Sequence, residues 1–178
     1  MELSMTELRE VAAYAVACAE PALAIYERDR PDDPRPRAAV AAAKAFADGG
    51  ERTKAIRDSA WAAHRAYQET RDAGLAAASE VARAAVAAAS AAFLHPLAKA
   101  TQVLHILGPA GHAARAFEID AGGDRTVGAG HLERAAGLAG PVVVGVLARY
   151  PSAPPGRGRP GELVRELDAT LRRFKVGP

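Results

Sequence analysis

Apolar residues recur every three or four positions along most of the chain, which is the spacing expected for amphipathic helices. In the first segment, Ser4 and Glu7 have the spacing of a capping box at a helix start. Leu8, Val11 and Ala15 then continue one apolar face. No stretch of useful length alternates apolar and polar residues as a strand would. The pattern therefore predicts an all-α protein.

Prolines and glycines divide this pattern into an alanine-rich bundle of six to seven helices. Proline removes a backbone donor and glycine lowers helix propensity, so both residues mark bends or ends. We expect a bend in the first helix at Pro21 and a joint between two central helices at Pro96. A further bend is expected near Pro109. The other predicted breaks are the charged connector 28–37, Gly49-Gly50, Gly74, the loop 120–124 and the connector 151–160.

The chain of 178 residues has the length of one ordinary domain. We divide it into a main bundle over residues 1–150, a connector rich in proline and glycine over 151–160, and a C-terminal helix over 161–175. Roughly a quarter of the residues are alanine, which favours helices whose backbones approach closely. Cys18 and Trp61 are expected to pack in the core of this bundle.

Charge and apolar runs limit the classes of partner. The formal net charge is +2 and arises from nearly balanced acids and bases, which favours neither nucleic acid nor an acidic substrate. The longest strongly apolar run, residues 137–148, is too short to cross a bilayer. A single cysteine suits a reducing compartment, and the acidic N-terminus does not resemble a signal peptide. We therefore expect a cytoplasmic protein without a membrane or nucleic-acid partner.

The common catalytic motifs do not occur in the sequence. It contains no phosphate-binding loop, no dinucleotide-binding glycine pattern, no zinc-protease motif and no nucleophile elbow. This argues against the commonest ATPase, dehydrogenase, metalloprotease and hydrolase classes, although an unusual enzyme stays open. The prediction leans against an enzyme, and we expect no cofactor and no bound metal.

The polar residues around the expected central joint stand out against the alanine background. His95, Lys99 and Gln102 are spaced i, i+4 and i+7, which would place them on one face of a helix. His105 lies about 60° further round that helix. His64 stands in an alanine run of the third helix, where a solvated face would usually carry more charge. These five residues are the candidate binding site, without an assigned catalytic residue.

Four interpretations of these residues stay open. Three imidazoles could bind zinc with an open fourth position, or one histidine could act as a general base near neutral pH. A polar pocket could instead bind a ligand or a partner protein. In the structural interpretation, which we favour, Pro96 frees a backbone carbonyl, and neighbouring polar side chains satisfy it and one another.

The charged connector offers a second candidate binding surface. Asp32, Asp33, Arg35 and Arg37 lie among three prolines, and arginine supplies planar bidentate donors. In the structural alternative, Asp33 caps the second helix and the arginines pair with neighbouring acids. The residues favour this structural alternative.

Several segments of the chain are distinctive enough to compare with known families. They are RPDDPRPRAAVAAAKAFADG at residues 30–49, SAWAAHRAYQETRDAG at residues 59–74 and the alanine-rich helix that ends at His95. Together they resemble the bacterial putative immunity protein family. FLHPLAKATQVLHILGPAGHAARA at 93–116 and RYPSAPPGRGRPGELVRELDATLRR at 149–173 are similar to small actinobacterial proteins often labelled exonuclease SbcC. That enzyme is a large ATPase with a phosphate loop, which this chain lacks, so the exonuclease label does not fit.

The resemblance implies a small, helical, cytoplasmic protein that neutralises a cognate toxin by protein–protein contact. The residues that match the family's shared pattern are Asp32, Asp33, Arg35, Arg37, His64 and His95. The resemblance marks them as a common site without assigned roles. The alternative is a small-molecule-binding protein, or an unusual enzyme, that uses the His/Lys/Gln pocket around the central joint. The expected partner is thus a toxin protein or a small ligand.

Overall fold

The computed structural model describes residues 2–173, which fold as helices joined by loops. The predicted capping box is present at the start of the first helix. Ser4 Oγ accepts from the backbone N–H of Glu7 at 3.1 Å, and the N–H of Ser4 donates to the Glu7 carboxylate at 2.8 Å. Residues 2–173 contain no strand, so the prediction of an all-α fold is confirmed.

Nine α-helical segments and two short 3-10 turns make up most of the described part of the chain. The α-helices are α1 (Met5–Ala19), α2 (Leu23–Asp29), α3 (Arg35–Ala47), α4 (Lys54–Asp72), α5 (Ala76–Ala91), α6 (Val103–Asp120), α7 (Arg125–Leu138), α8 (Pro141–Leu147) and α9 (Gly158–Arg173). The 3-10 turns are Glu20–Ala22 and Ala100–Gln102.

The number of helices exceeds the six to seven predicted. At Pro21 the first helix does more than bend, because the 3-10 turn Glu20–Ala22 separates α1 from α2. Pro141 begins α8 as a new helix after Gly140, since proline fits the first turn, where its missing N–H has no helical partner to lose. With α1 and α2 counted as one bent helix, residues 2–173 contain eight helices.

α6 runs through Pro109 as one continuous helix, so Pro109 does not divide it. Proline cannot donate to the carbonyl four residues earlier, which is that of His105. The helix survives because this stretch is buried against its neighbours. Gly111 permits this close packing, since a Cβ at that position would lie 2.5 Å from Val164 Cγ2 of α9.

α5 lies at the centre of the bundle, where it packs most extensively against α6 and α4. Its inward alanines are fully buried, among them Ala78, Ala82 and Ala85. Because alanine carries only a methyl group, the neighbouring helices approach closely at these positions. The large side chains of Tyr26 and Phe46, from α2 and α3, are also fully buried and fill space that the alanines leave.

Two predictions about the core have opposite outcomes. Cys18 is buried as predicted, and burial raises the pKa of its thiol to about 12. Trp61 is 64% exposed, so its expected place in the core is wrong. α4 buries Ile56, Ala63 and Ala66, and a residue five positions after Ile56 points about 140° away from that face. Trp61 therefore lies on the outer side of α4.

α9 closes the bundle against α6. Leu163, Leu167 and Leu171 are fully buried, and their spacing of four residues places them on one face. The helix begins at Gly158, three residues before the predicted start, while its predicted end at 174–175 lies outside the described residues. No helix among residues 2–173 combines the length and the apolar character needed to cross a membrane.

Candidate functional site

The segment predicted to carry the site on one helical face is in fact a loop. Pro96 does lie at the joint between two helices, but residues 92–99 are not helical. His95, Lys99 and Gln102 therefore do not share a helix face, and that prediction is wrong. The physical reason is that proline disfavours the helical conformation for the residue before it, here His95.

Two polar side chains hold this loop in place. Gln102 Oε1 accepts from the backbone N–H of His95 at 2.9 Å, and Tyr150 Oη donates to the carbonyl of His95 at 2.7 Å. Both bonds satisfy backbone groups that lie beyond the end of α5. Gln102 is itself buried, so its amide is occupied in fixing the 92–99 loop. Lys99 is exposed, and its side chain makes no hydrogen bond or ion pair with residues 2–173.

α4, α5 and α6 form a cleft that extends to the start of α9. Its two halves have volumes of about 340 and 430 Å³, which is the size of small-molecule pockets. The residues that border both halves are His64, Val86, Ser90 and His105. Of the predicted site, His64, His95 and His105 are thus brought together at this cleft. Lys99 and Gln102 do not line it.

We call the half of the cleft beside Arg57, Trp61, Phe93 and His95 the aromatic half. The rings of Trp61 and His64 meet edge to face, with their centroids 5.9 Å apart. The guanidinium carbon of Arg57 lies 4.5 Å from the centroid of the Phe93 ring, within the range of a cation–π contact. The aromatic half therefore combines exposed apolar area with a positive charge held over a ring.

We call the half beside Arg83, His112 and Arg157 the basic half. The guanidinium carbon of Arg83 lies 4.7 Å from the centroid of the Tyr67 ring. His112 Nδ1 lies 2.7 Å from Oε2 of Glu80, which joins α6 to α5. No aspartate or glutamate of the described residues lines either half of the cleft. The cleft as a whole therefore offers hydrogen-bond donors and positive charge.

The histidines of the molecule differ in their electrostatic surroundings. Burial lowers the pKa of His105 below its usual value, and electrostatic interaction with His95 lowers it further. His105 is therefore neutral near pH 7 and can exchange hydrogen bonds without carrying charge. His131 lies outside the cleft, stacked on Phe117 with ring centroids 3.6 Å apart, and burial lowers its pKa to about 4. Within residues 2–173, no three His, Cys, Asp or Glu side chains are grouped to hold a metal ion.

The charged connector forms its own hydrogen-bond network. Arg35 donates to both carboxylate oxygens of Asp33, at 2.8 and 2.7 Å, and to Glu69 of α4 at 3.0 Å. Asp33 also accepts from the backbone N–H of Arg35 at 3.1 Å and from Tyr26 Oη at 2.6 Å. The Arg35 guanidinium is the main cause that holds the pKa of the Asp33 carboxyl well below its usual range. The network ties the start of α3 to α2 and α4.

The other two connector candidates are placed differently. Arg37 pairs with Glu27 of α2 through its Nε and one terminal guanidinium nitrogen, which donate to the two carboxylate oxygens. Asp32 is exposed, and it forms no hydrogen bond or ion pair within the described part of the chain. None of the four connector residues lines the cleft. The predicted site residues therefore divide into a cleft group and a connector group.

Residues 1–134 match the Imm-5 like putative immunity protein family, which is well over half of the 178-residue chain. The chain belongs to this family. No curated protein and no solved structure gave a match. The resemblance to immunity proteins is thus confirmed.

The family match includes only part of the residues that line the cleft. The walls formed by α4, α5 and α6 lie within the matched residues 1–134, and so do all four connector candidates. α8 and α9 lie outside the match. Arg157 and the first turn of α9, which border the basic half, are therefore contributed by a part of the chain that the family match does not include.

Several residues of the cleft were not predicted from the sequence. For Arg57 and Trp61 a signal was present, because they are spaced i and i+4 before His64 at i+7, which indicates a shared face of α4. Arg83 carried a weaker signal, as an isolated charge within the alanine run of α5. Arg157 carried none, because its position at the cleft depends on how α9 docks against α6, which a local pattern does not reveal.

Proposed function

We propose that this protein is an immunity-like binding protein that neutralises a cognate toxin protein by direct contact. Its membership of the Imm-5 like family carries the proposal. A protein that acts by binding needs a preformed complementary surface and no catalytic group. The absence of common catalytic motifs from the sequence fits that requirement.

The aromatic half of the cleft is the surface we propose for toxin contact. Trp61 is 64% exposed and Leu97, on the neighbouring loop, is 52% exposed. Tryptophan and arginine are the residues that most often dominate binding energy at protein interfaces, and Arg57 borders the same half. A folded protein gains nothing by leaving an indole in water, so this exposure supports a role in recognition.

The backbone that carries this surface is ordered before binding, which favours a tight complex. His95 lies on the loop that Gln102 and Tyr150 fix by hydrogen bonds to the backbone. Trp61 and Arg57 stand on one side of α4, a regular helix of 19 residues. A surface that is ordered before binding loses less conformational entropy when the partner arrives. Because both cationic and aromatic groups line it, the matching toxin surface should be acidic with apolar elements.

The proposal is tested by co-expression with any toxin-like protein that is found to be encoded next to this gene. The unaltered chain should restore growth to cells that produce the toxin. Trp61→Ala should weaken the complex by about 2 kcal/mol, or roughly thirtyfold, as is typical for an anchor tryptophan. Leu138→Ala removes a side chain that is 53% exposed on α7, outside the cleft, and serves as the matched control.

The two variants give outcomes that separate the possibilities. If Trp61→Ala reduces both rescue and affinity while Leu138→Ala keeps both, the aromatic half is the contact surface. If the two variants behave alike, the proposed surface is wrong. If no toxin encoded nearby is neutralised by the unaltered chain, the immunity function itself is refuted.

A further inference from the structure

The basic half of the cleft has an uneven charge distribution for a chain whose acids and bases nearly balance. Its lining includes Arg83, Arg157, His105 and His112 but, among residues 2–173, no carboxylate. Several arginines elsewhere in the fold are paired with acids, as Arg35 is with Asp33 and Glu69. A cleft lined with cations and without anions attracts negatively charged groups, and its low-dielectric walls concentrate that field.

Arg83 is the best-positioned cation of this half. It is partly buried, and its guanidinium is held over the ring of Tyr67 at 4.7 Å. This cation–π contact uses none of the N–H donors of the guanidinium, so they stay free to bind. No carboxylate of the described residues lies within ion-pair distance of Arg83. Its donors are therefore available to a ligand.

Arg157 reaches the cleft through an unusual backbone conformation. Its φ is +65°, and it stands between Gly156 at +86° and Gly158 at +60°. A residue with a side chain pays a conformational cost in this left-handed region, where glycine is usual. Strain of this kind concentrates at functional positions. Arg157 is the second arginine that borders the basic half, which residues of α5 and α6 also line.

The other polar groups that border the basic half can donate hydrogen bonds and carry no negative charge. The hydroxyl of Thr101 and the imidazole of His105 border the same space. His112 is paired with Glu80, which does not itself line the cleft. The uncompensated charge of the basic half therefore comes from the two arginines.

We propose that the basic half is a binding site for an anionic group, a carboxylate or a phosphate, held between Arg83 and Arg157. Planar guanidinium groups bind both anions through paired hydrogen bonds. A volume of about 340 Å³ suits a ligand the size of a small organic acid or phosphate ester. The group can belong to a free small molecule or to an acidic side chain of a partner protein. This inference does not depend on the immunity function, since it rests on the cleft alone.

Titration calorimetry on the full chain at low ionic strength tests the site. The probes are inorganic phosphate, citrate and a capped tetraglutamate peptide, with sodium chloride at matched ionic strength as the blank. We expect at least one probe to bind, and binding should weaken as salt screens the charges. Arg83→Gln and Arg157→Gln should each lower the affinity about tenfold, because each removes a charge-assisted pair of bonds.

Arg125→Gln is the matched control, because it removes one exposed positive charge on α7, outside the cleft. Arg157 lies in an exposed loop, so its variant keeps the test valid if Arg83→Gln impairs folding. If the unaltered chain binds phosphate or citrate and both cleft variants lose this binding, the ligand is a free anion. Binding of the peptide alone identifies an acidic segment of a partner.

Two results overturn the inference: no probe binds, or all three arginine variants lose affinity equally. The second result would show attraction by net charge alone. Failure of anion binding would leave the toxin proposal intact if Trp61→Ala still abolishes rescue. Anion binding without any effect of Trp61→Ala on rescue would refute the toxin surface and leave the anion site standing.

Discussion

Arg159→Met is the most informative test of how α9 is held on the bundle. Glu118 of α6 is fully buried, and Arg159 of α9 donates to both of its carboxylate oxygens, the shortest bond being 2.6 Å. Arg115 donates to one of them at 3.1 Å. Methionine keeps the length of the arginine stem but leaves a buried carboxylate with one donor. Breaking a buried pair costs about 3–5 kcal/mol, and because Arg115 remains we expect about 3 kcal/mol.

The loss should depend on pH in a defined direction. Burial opposes ionisation of Glu118, but the hydrogen bonds from Arg159 and Arg115 outweigh it and lower the pKa below its usual value. The paired carboxylate thus contributes stability above the unfolded pKa of about 4.3, and that stability is lost as pH falls through the folded pKa. In Arg159→Met, burial raises the pKa instead, so protonation relieves the buried charge. The variant should therefore be less destabilised at pH 5 than at pH 7.

Urea unfolding followed by far-UV circular dichroism at pH 7 and pH 5 measures both effects. A loss of 3 kcal/mol corresponds to a fall in Tm of about 6–12 °C for a chain of this size. Arg125→Met, at an exposed position of α7, is the control and should change stability by less than about 0.5 kcal/mol. If the free energy of unfolding falls by less than about 1 kcal/mol at pH 7, or by the same amount at both pH values, the Glu118–Arg159 pair does not stabilise the bundle in this way.

Two further predictions concern packing and reactivity. Gly128→Ala should lower the free energy of unfolding by about 1–3 kcal/mol, because its Cβ would lie 2.3 Å from Oε1 of the buried Glu118. Gly137→Ala on the same helix meets nothing within 4 Å and should raise it by up to about 1 kcal/mol; thermal unfolding that ranked them in reverse would contradict both. Since burial raises the pKa of Cys18 to about 12, a thiol-reactive disulfide at pH 8 should label only unfolded chain; rapid labelling of folded protein would disprove this burial.

The fold class could be predicted from the sequence because its signals are local. Helical spacing of apolar residues, the Ser4–Glu7 capping box and glycine at helix ends each act within a few residues. The structure differs from the prediction at positions whose backbone conformation depends on tertiary packing. Pro109 continues a helix because that stretch is buried between other helices, and the loop at 92–99 is stabilised by Tyr150, more than fifty residues later in the chain.

The candidate site was predictable only in part, for the same reason. His64, His95 and His105 do meet at one cleft, as their contrast with the alanine background indicated. Gln102 was predicted to belong to the same site, but its amide oxygen bonds the backbone of the loop and does not line the cleft. The spacing of residues predicts a shared face only when all of them lie in one helix. Residues 92–99 are not helical, so the spacing of His95, Lys99 and Gln102 did not place them on one face.

The arrangement of charge explains why the cleft, and not the connector, is the better place for a ligand. In the connector, Arg35 and Arg37 already bond Asp33, Glu69 and Glu27, so an incoming anion would have to displace bonds before it formed its own. Two arginines of the cleft, Arg57 and Arg83, lie over aromatic rings, and these contacts use none of their N–H donors. A net charge of +2 for the whole chain conceals this difference. The free energy of recognition should therefore come from the cleft, where binding an anion forms new hydrogen bonds at no cost in existing ones.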